Sequence, residues 1–356
     1  MDEKNGIVDV HVAEYVYPIT PHELISELPR TDRAIKTVRR GRKSIEAILR
    51  GEDPRIFVIA GQCSVHDAEE DKEVSIRLQE LAGTVSDKIV IVKRAYFEKP
   101  RTAFGWEGLL IDPDINGKDD VNKGYRLSRQ ILLYSNELGM PCATEYLESS
   151  TPQYNDDLVA WAAIGARTAA SPQHRKLASI LSMPVGIKND THGDISVAVN
   201  GVRVAMKSGY LVPGVSEDGR HAFVRGKGNP YAHIVLRGGQ TGSNYDAESV
   251  RQAKDLLENE GLPPNIVIDC SHGNSNKDYT KQPEVFESMV KQIKDGNKWI
   301  VGGMIEANIV EGNQKIPTNL TGFDRSTLRY GQSITDACIS LNTYRKLILD
   351  AYKTLS

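Results

Sequence analysis

A chain of 356 residues with 44 basic and 47 acidic side chains, a net charge of −3, has no bulk electrostatic pull toward nucleic acid or an anionic membrane, so any affinity for anions must come from local clusters. No apolar run approaches the ~20 residues of a membrane span, and the acidic opening "MDEKNGIVDVHV" lacks the basic-then-apolar layout of a signal peptide. Four well-separated cysteines, Cys63, Cys142, Cys270 and Cys338, form no CxxC pair, which points to a reducing cytoplasm and away from a disulfide framework.

Residues 1–45 read as an N-terminal arm serving regulation or oligomerisation. In it "VHVAEYVYPITP" alternates as an edge strand does, and "TPHELISEL" has a Thr-Pro start followed by Glu, a helix opening. A basic amphipathic helix follows, "TDRAIKTVRRGRKSIEAILRG", closed by Gly51, with its Arg and Lys residues read as a solvated face. Residues 46–356 read as a catalytic barrel. Short, continuously apolar runs recur: "IFVIAG" (56–61), "KIVIVKR" (88–94), "MPCATE" (140–145), "AAIGAR" (162–167), "MPVGIK" (183–188), "HIVLRG" (233–238), "NIVIDCSH" (265–272) and "WIVGGMIE" (299–306). Such runs suit strands buried on both faces of a parallel sheet, and amphipathic segments alternate with them. Eight units predict a (β/α)8 TIM barrel. A doubly wound open sheet is the alternative, but "GQCSVH" after the first run is no GxGxxG loop. Two irregularities remain. Residues of about 209–230 read as an inserted hairpin turning at Glu217–Gly219, ahead of the sixth strand. A long segment, "EGNQKIPTNLTGFDRSTLRYGQS", follows the eighth.

Barrel chemistry gathers at the C-terminal ends of strands. Two kinds of residue sit there. Arg94, Lys99, Arg101, Arg167, Lys188 and Arg237 are cations that would repel one another unless an anionic guest joins them. Cys63, His272 and Glu306, with Asp336 beyond, are metal-competent and could share one divalent ion. Cys63 is open to two other readings, a buried structural cysteine or a nucleophile with His66 as its base. Glu145 closes the third run.

The stretches "GQCSVHD", "RAYFEKPRT", "GARTAASPQHRKLASILSMPVGIKN", "HIVLRGG", "IDCSHGNSNKDY", "MIEANIVEGNQ" and "SITDACI" resemble those of the 3-deoxy-D-arabino-heptulosonate 7-phosphate (DAHP) synthases, in particular the microbial class I enzymes regulated by aromatic amino acids. The resemblance implies a barrel with an N-terminal extension and a β insertion, assembled as a homodimer or homotetramer. It implies condensation of phosphoenolpyruvate with erythrose 4-phosphate at the head of the shikimate pathway. It also implies a divalent ion (Mn²⁺, Fe²⁺, Co²⁺ or Zn²⁺) on Cys63, His272, Glu306 and Asp336, with Lys99, Cys63 and His272 as catalytic residues. By the same likeness Arg94, Lys99, Glu145, Arg167, Lys188 and Arg237 match the phosphoenolpyruvate site, and Lys99, Pro100, Arg101 and Thr102 the erythrose 4-phosphate site. An inhibitor pocket would involve Leu177, Leu181, Ser182, Val212 and Gly214, the small Gly214 favouring tyrosine. The sequence departs from the family pattern at Gln62, where Pro is usual, and at Asp190, where Gly is usual. A paralogue using another aldose phosphate and a non-catalytic regulatory barrel are the alternatives.

Overall fold

The computed structural model describes residues 7–101 and 103–355. Two helices, α1 (Pro21–Glu27) and α2 (Asp32–Leu49), lead into a closed ring of eight parallel strands. These are β1 (Ile56–Gly61), β2 (Ile89–Arg94), β3 (Cys142–Glu145), β4 (Trp161–Ile164), β5 (Val185–Lys188) and, past the antiparallel hairpin β6 (Leu211–Val215) and β7 (His221–Arg225), β8 (Ala232–Leu236), β9 (Ile266–Asp269) and β10 (Ile300–Asn308). β1 pairs with both β2 and β10, which closes the sheet into a (β/α)8 barrel. A short β11 (Ile339–Ser340) runs beside the end of β10. The outer layer holds α3 (Ala68–Val85), α4 (Val121–Leu138), the single turn α5 (Pro152–Asn155), α6 (Pro172–Ala178), α7 (Ile195–Met206), α8 (Ala247–Asn259), α9 (Gln282–Lys294) and α10 (Leu341–Thr354).

All eight expected runs are strands, and so is the inserted hairpin. Side-chain alternation divides each run between two cores. Phe57 and Ile59 point into the barrel with Val92, Ala143, Trp161, Val235, Val267 and Met304, whereas Val58 and Ala60 face the helices. The floor of the barrel is closed by α2, whose Ile45, Ile48 and Leu49 join that inner core. Residue 45, the expected end of the arm, therefore lies inside a helix that plugs the barrel.

Two expectations for the arm are corrected. The stretch 12–20 forms no strand: the barrel is closed and offers no free edge to pair with, and Val10, Val12, Tyr15, Val16 and Tyr17 are exposed. The basic face of α2 is only partly solvated. Arg42 is partly buried and donates to the carbonyls of Val159 (2.9 Å) and Asp156 (2.5 Å), and Arg40 donates to that of Gly139 (2.7 Å). The helix opening is as expected: Thr20 and Glu23 form a reciprocal capping box on α1.

Candidate active site

The strand ends converge above the inner core. Gly61 takes φ 149°, and a Cβ there would stand 2.8 Å from the Arg94 carbonyl oxygen, so only glycine lets the chain leave β1 this close to β2. Two residues on, the Cys63 thiol meets one carboxylate oxygen each from Glu306 and Asp336, all within 4.8 Å of one another. His272 flanks this trio with Nε2 3.8 Å from Glu306 Oε1. Its other nitrogen lies 2.8 Å from Ser271 Oγ and 3.0 Å from Asp269 Oδ2, which fixes the ring. The His272 backbone itself is left-handed (φ 59°), a conformation uncommon outside glycine. Sulfur, imidazole and two carboxylates at these separations fit a divalent transition ion.

Of the two other readings of Cys63, the thiol is wholly buried, as a structural cysteine would be, and the nucleophile lacks its base. His66 is buried and forms no hydrogen bond to the thiol; its Nε2 lies 3.5 Å from Glu70 Oε2. Burial, with Glu306 adding to it, raises the Cys63 pKa, while Lys99 works against them. Lys99 donates from Nζ to the Cys63 carbonyl (2.8 Å) and reaches Sγ at 3.1 Å. Burial would lower the lysine's pKa, but Cys63 as its thiolate, with Glu306 and Asp336, outweighs this and raises it.

The cations fall into two sets. Arg94 is fully buried. It donates to the carbonyls of Gln62 (3.0 Å) and Cys63 (3.0 Å) and to Glu306 Oε1 (2.8 Å), and it stacks 3.5 Å over the Tyr96 ring. Lys188 donates to the buried Asp269 (2.8 Å). Asp269 thus bridges Lys188 and His272; burial raises its pKa, but these two partners pull it well below the usual carboxylate range. Arg237 makes one side-chain hydrogen bond, to the Gly238 carbonyl (3.1 Å), and Arg167 is exposed and makes none with the described residues. Burial lowers the Arg237 pKa and the nearby Arg167 adds to this, while Asp269 works against them. Glu145 fills the space beside Gly165, where a Cβ would stand 2.0 Å from its Oε1. Pro100 is half-buried, Arg101 is exposed with Nε on the Trp106 carbonyl (2.8 Å), and Thr102 lies outside the described residues.

Beyond the ends of β3 and β4, Leu177 lines a cavity of about 190 Å³ with Leu147, Glu148, Ser149, Gln173 and His174. Leu181 and Val212 are buried nearby in the main core, Gly214 stands against Gln153, and Ser182 is exposed and donates to Asp156 (2.8 Å). At the two departures from the family pattern, Gln62 is buried, and Asp190 Oδ1 accepts from three backbone N–H groups, those of His192 (3.0 Å), Gly193 (2.8 Å) and Asp194 (2.9 Å), and so braces the loop after β5.

Residues 29–348 match the DAHP synthetase I family. The chain belongs to that family. It is 44% identical to the tyrosine-sensitive phospho-2-dehydro-3-deoxyheptonate aldolase of Escherichia coli K12 over 354 residues, 99% of this chain and 98% of the relative. It is 43% identical to the phenylalanine-sensitive enzyme of the same organism over 331 residues, 93% of this chain and 92% of that one. A solved phospho-2-dehydro-3-deoxyheptonate aldolase from Francisella tularensis SCHU S4 superposes with a TM-score of 0.92 at 39% identity, covering 97% of this chain and 98% of the other. Family membership gives the mouth's two groups of side chains a common setting. Sequence reasoning missed Asp269, which joins the two groups; its signal was an acid closing the wholly apolar run "IVID".

Proposed function

We propose that this chain condenses phosphoenolpyruvate with erythrose 4-phosphate and water to give DAHP and phosphate, the first step toward the aromatic amino acids. The observation that carries the proposal is one mouth holding the Cys63–Glu306–Asp336 trio, Lys99 against it, and the sparsely hydrogen-bonded Arg167 and Arg237 beside it. Cys63, His272, Glu306 and Asp336 would hold a divalent ion, which supplies Lewis-acid polarisation of an aldehyde oxygen. Arg167 and Arg237 seat the phosphoenolpyruvate phosphate and carboxylate while Glu306 and Asp269 hold Arg94 and Lys188 in place, and Arg101 with Pro100 and Thr102 seats the sugar phosphate; this orientation replaces a chance encounter of two anions. C3 of phosphoenolpyruvate bonds to the aldehyde carbon, and Lys99 gives a proton to the oxygen that was the aldehyde's. Water bonds to C2 and loses a proton. The C2–O bond to phosphate then breaks, leaving the ketone. The test is a coupled assay with both substrates in H₂¹⁸O: label is expected in the DAHP ketone, and label in the released phosphate would overturn this order of bond breaking.

The same reading extends to assembly, compartment and control. A homodimer or homotetramer would cover Val10, Val12, Tyr15, Val16 and Tyr17 of the arm, which are exposed together. Four free, buried cysteines suit the cytoplasm. Tyrosine binds among Leu177, Leu181, Ser182, Val212 and Gly214, of which Leu177 alone lines the cavity described above. A Cβ at Gly214 would come 3.4 Å from Gln153 Nε2, so Gly214→Ser narrows the room for a phenol hydroxyl. Initial rates are expected to fall more with tyrosine than with phenylalanine, and less so in Gly214→Ser; stronger inhibition by phenylalanine would remove Gly214 from the argument.

A further inference from the structure

Asp336 differs from its three neighbours in what holds it. Cys63, His272 and Glu306 lie on or just beyond β1, β9 and β10, and each has a fixed partner. Asp336 is exposed on the irregular segment 309–338, and among the described residues nothing hydrogen-bonds to its carboxylate. Burial raises its pKa, but the surrounding cations, Lys99 and His272 foremost, outweigh this and lower it. Its place therefore depends on its backbone. That segment folds back on itself through bonds from Val310 N to Gly331 O (2.8 Å), Gln314 N to Ser333 O (2.8 Å) and Gly312 N to Cys338 O (2.8 Å).

The outer half of the segment is tied to the stretch that carries Cys63. Arg325 donates from one nitrogen to Asp67 Oδ2 (2.6 Å) and the His66 carbonyl (3.1 Å), and from another to the Pro113 carbonyl (3.2 Å). Asp67 is itself fixed, because Oδ1 caps α3 by accepting from Glu69 N (2.8 Å) and Glu70 N (3.1 Å). Gly331 N donates to Glu70 Oε1 (2.7 Å), and Tyr330 Oη to Glu73 Oε2 (3.1 Å). Closest to the site, Ser64 Oγ and Thr335 Oγ1 are 2.7 Å apart, joining the residue after Cys63 to the residue before Asp336.

We infer that Arg325 is a positioning residue for the metal site: by clamping the segment 309–338 to Asp67, it sets the approach of Asp336 to Cys63 and so the affinity for a divalent cation. The inference rests on the metal reading above. The Arg325–Asp67 pair is partly solvated, so its loss reaches the site more than the stability of the fold. Groups hydrogen-bonded directly to metal ligands are worth about 10- to 100-fold in metal affinity, and a clamp one step further out is expected at the lower end of that range.

The test is a Co²⁺ titration of the metal-stripped full chain, read by the thiolate-to-Co²⁺ charge-transfer absorption and the visible d–d bands. Wild type is expected to develop both, and Cys63→Ser to lose the first. Arg325→Ala is expected to keep the thiolate band but bind Co²⁺ about tenfold more weakly, with shifted d–d bands and an unchanged metal-free melting temperature. Arg325→Lys, which keeps the charge, is expected to recover most of the affinity, and Asp67→Asn to weaken binding as Arg325→Ala does. A titration of Arg325→Ala that overlays wild type overturns the clamp while the metal reading stands. So does equal weakening in the Ala and Lys variants with a lowered metal-free melting temperature. Absence of a thiolate band in wild type overturns the metal reading, and the clamp with it.

Discussion

Two groups of cations share the mouth of this barrel, and they differ in what they already hold. Arg94 and Lys188 are spent on the protein: the first on Glu306 and two carbonyls, the second on Asp269. Arg237 has one side-chain hydrogen bond, to a backbone carbonyl, and Arg167 has none among the described residues. The difference separates the residues that build the site from those that wait for a guest. A buried guanidinium matched to a buried carboxylate fixes a ligand-bearing side chain in space. An under-partnered guanidinium pair is a standing attraction for phosphate or carboxylate. Lys99 stands between the two groups, bonded to Cys63 but at the edge of the open space.

The largest effect expected from this contrast compares Lys99 with Lys93. Lys93 is buried on the helix-facing side of β2, paired with Asp71 and 2.8 Å from Ser135 Oγ, while its neighbour Arg94 points inward. Lys99→Ala is expected to lower kcat by about 10²–10⁴ with little change in stability. Lys93→Ala strands a buried Asp71 and is expected to cost about 3–5 kcal/mol of folding stability while kcat of the folded fraction holds. Steady-state kinetics and urea titrations on both variants separate the two; equal losses of kcat would place Lys93 at the site after all.

Next in size comes Arg94 against Arg237. Removing Arg94 leaves Glu306 buried and unpaired, so Arg94→Ala is expected to lose about 3–5 kcal/mol of stability along with activity. Arg237→Ala removes only charged contacts to a guest, about 1.5–3 kcal/mol, so KM for phosphoenolpyruvate is expected to rise about ten- to a hundredfold with the melting temperature held. If Arg237→Ala unfolds the protein as readily as Arg94→Ala, the division into building and waiting cations is wrong.

Much of this was legible in the sequence, and for identifiable reasons. The eight strands were visible because both of their faces are buried, which makes runs such as "IFVIAG" and "HIVLRG" continuously apolar. The ligand-type residues were visible because they stand at the ends of those runs. The bonding states of the cations were not: Arg94 and Arg237 occupy the same place in the pattern, and only the fold brings Glu306 onto one of them. The arm misled because alternation in "VHVAEYVYPITP" measures what a strand would bury, not whether an edge exists to receive it. Arg325 was illegible because its partner lies 258 positions away, in a segment with no periodicity.

The smallest effect concerns a buried carboxyl whose neutral form the fold favours. Glu98, next to Lys99, is buried; burial, with Glu148 and Glu145 nearby, pushes its pKa up to about 8 against the Leu147 N–H, which pulls the other way. Between pH 4.5, the ordinary value for the group, and about 8, the unfolded chain has released this proton and the folded chain has kept it. The folded state then binds more protons, so folding stability falls as pH rises through that window, and the whole penalty is present above it. Glutamine is a near-isostere of the neutral acid and has nothing to release. Glu98→Gln is therefore expected to match wild type near pH 4.5 and to exceed it at pH 8 by on the order of a few kcal/mol. Urea titrations at pH 4.5, 6.5 and 8 measure the gap. A gap that stays constant with pH would mean that Glu98 is ionised in the folded protein.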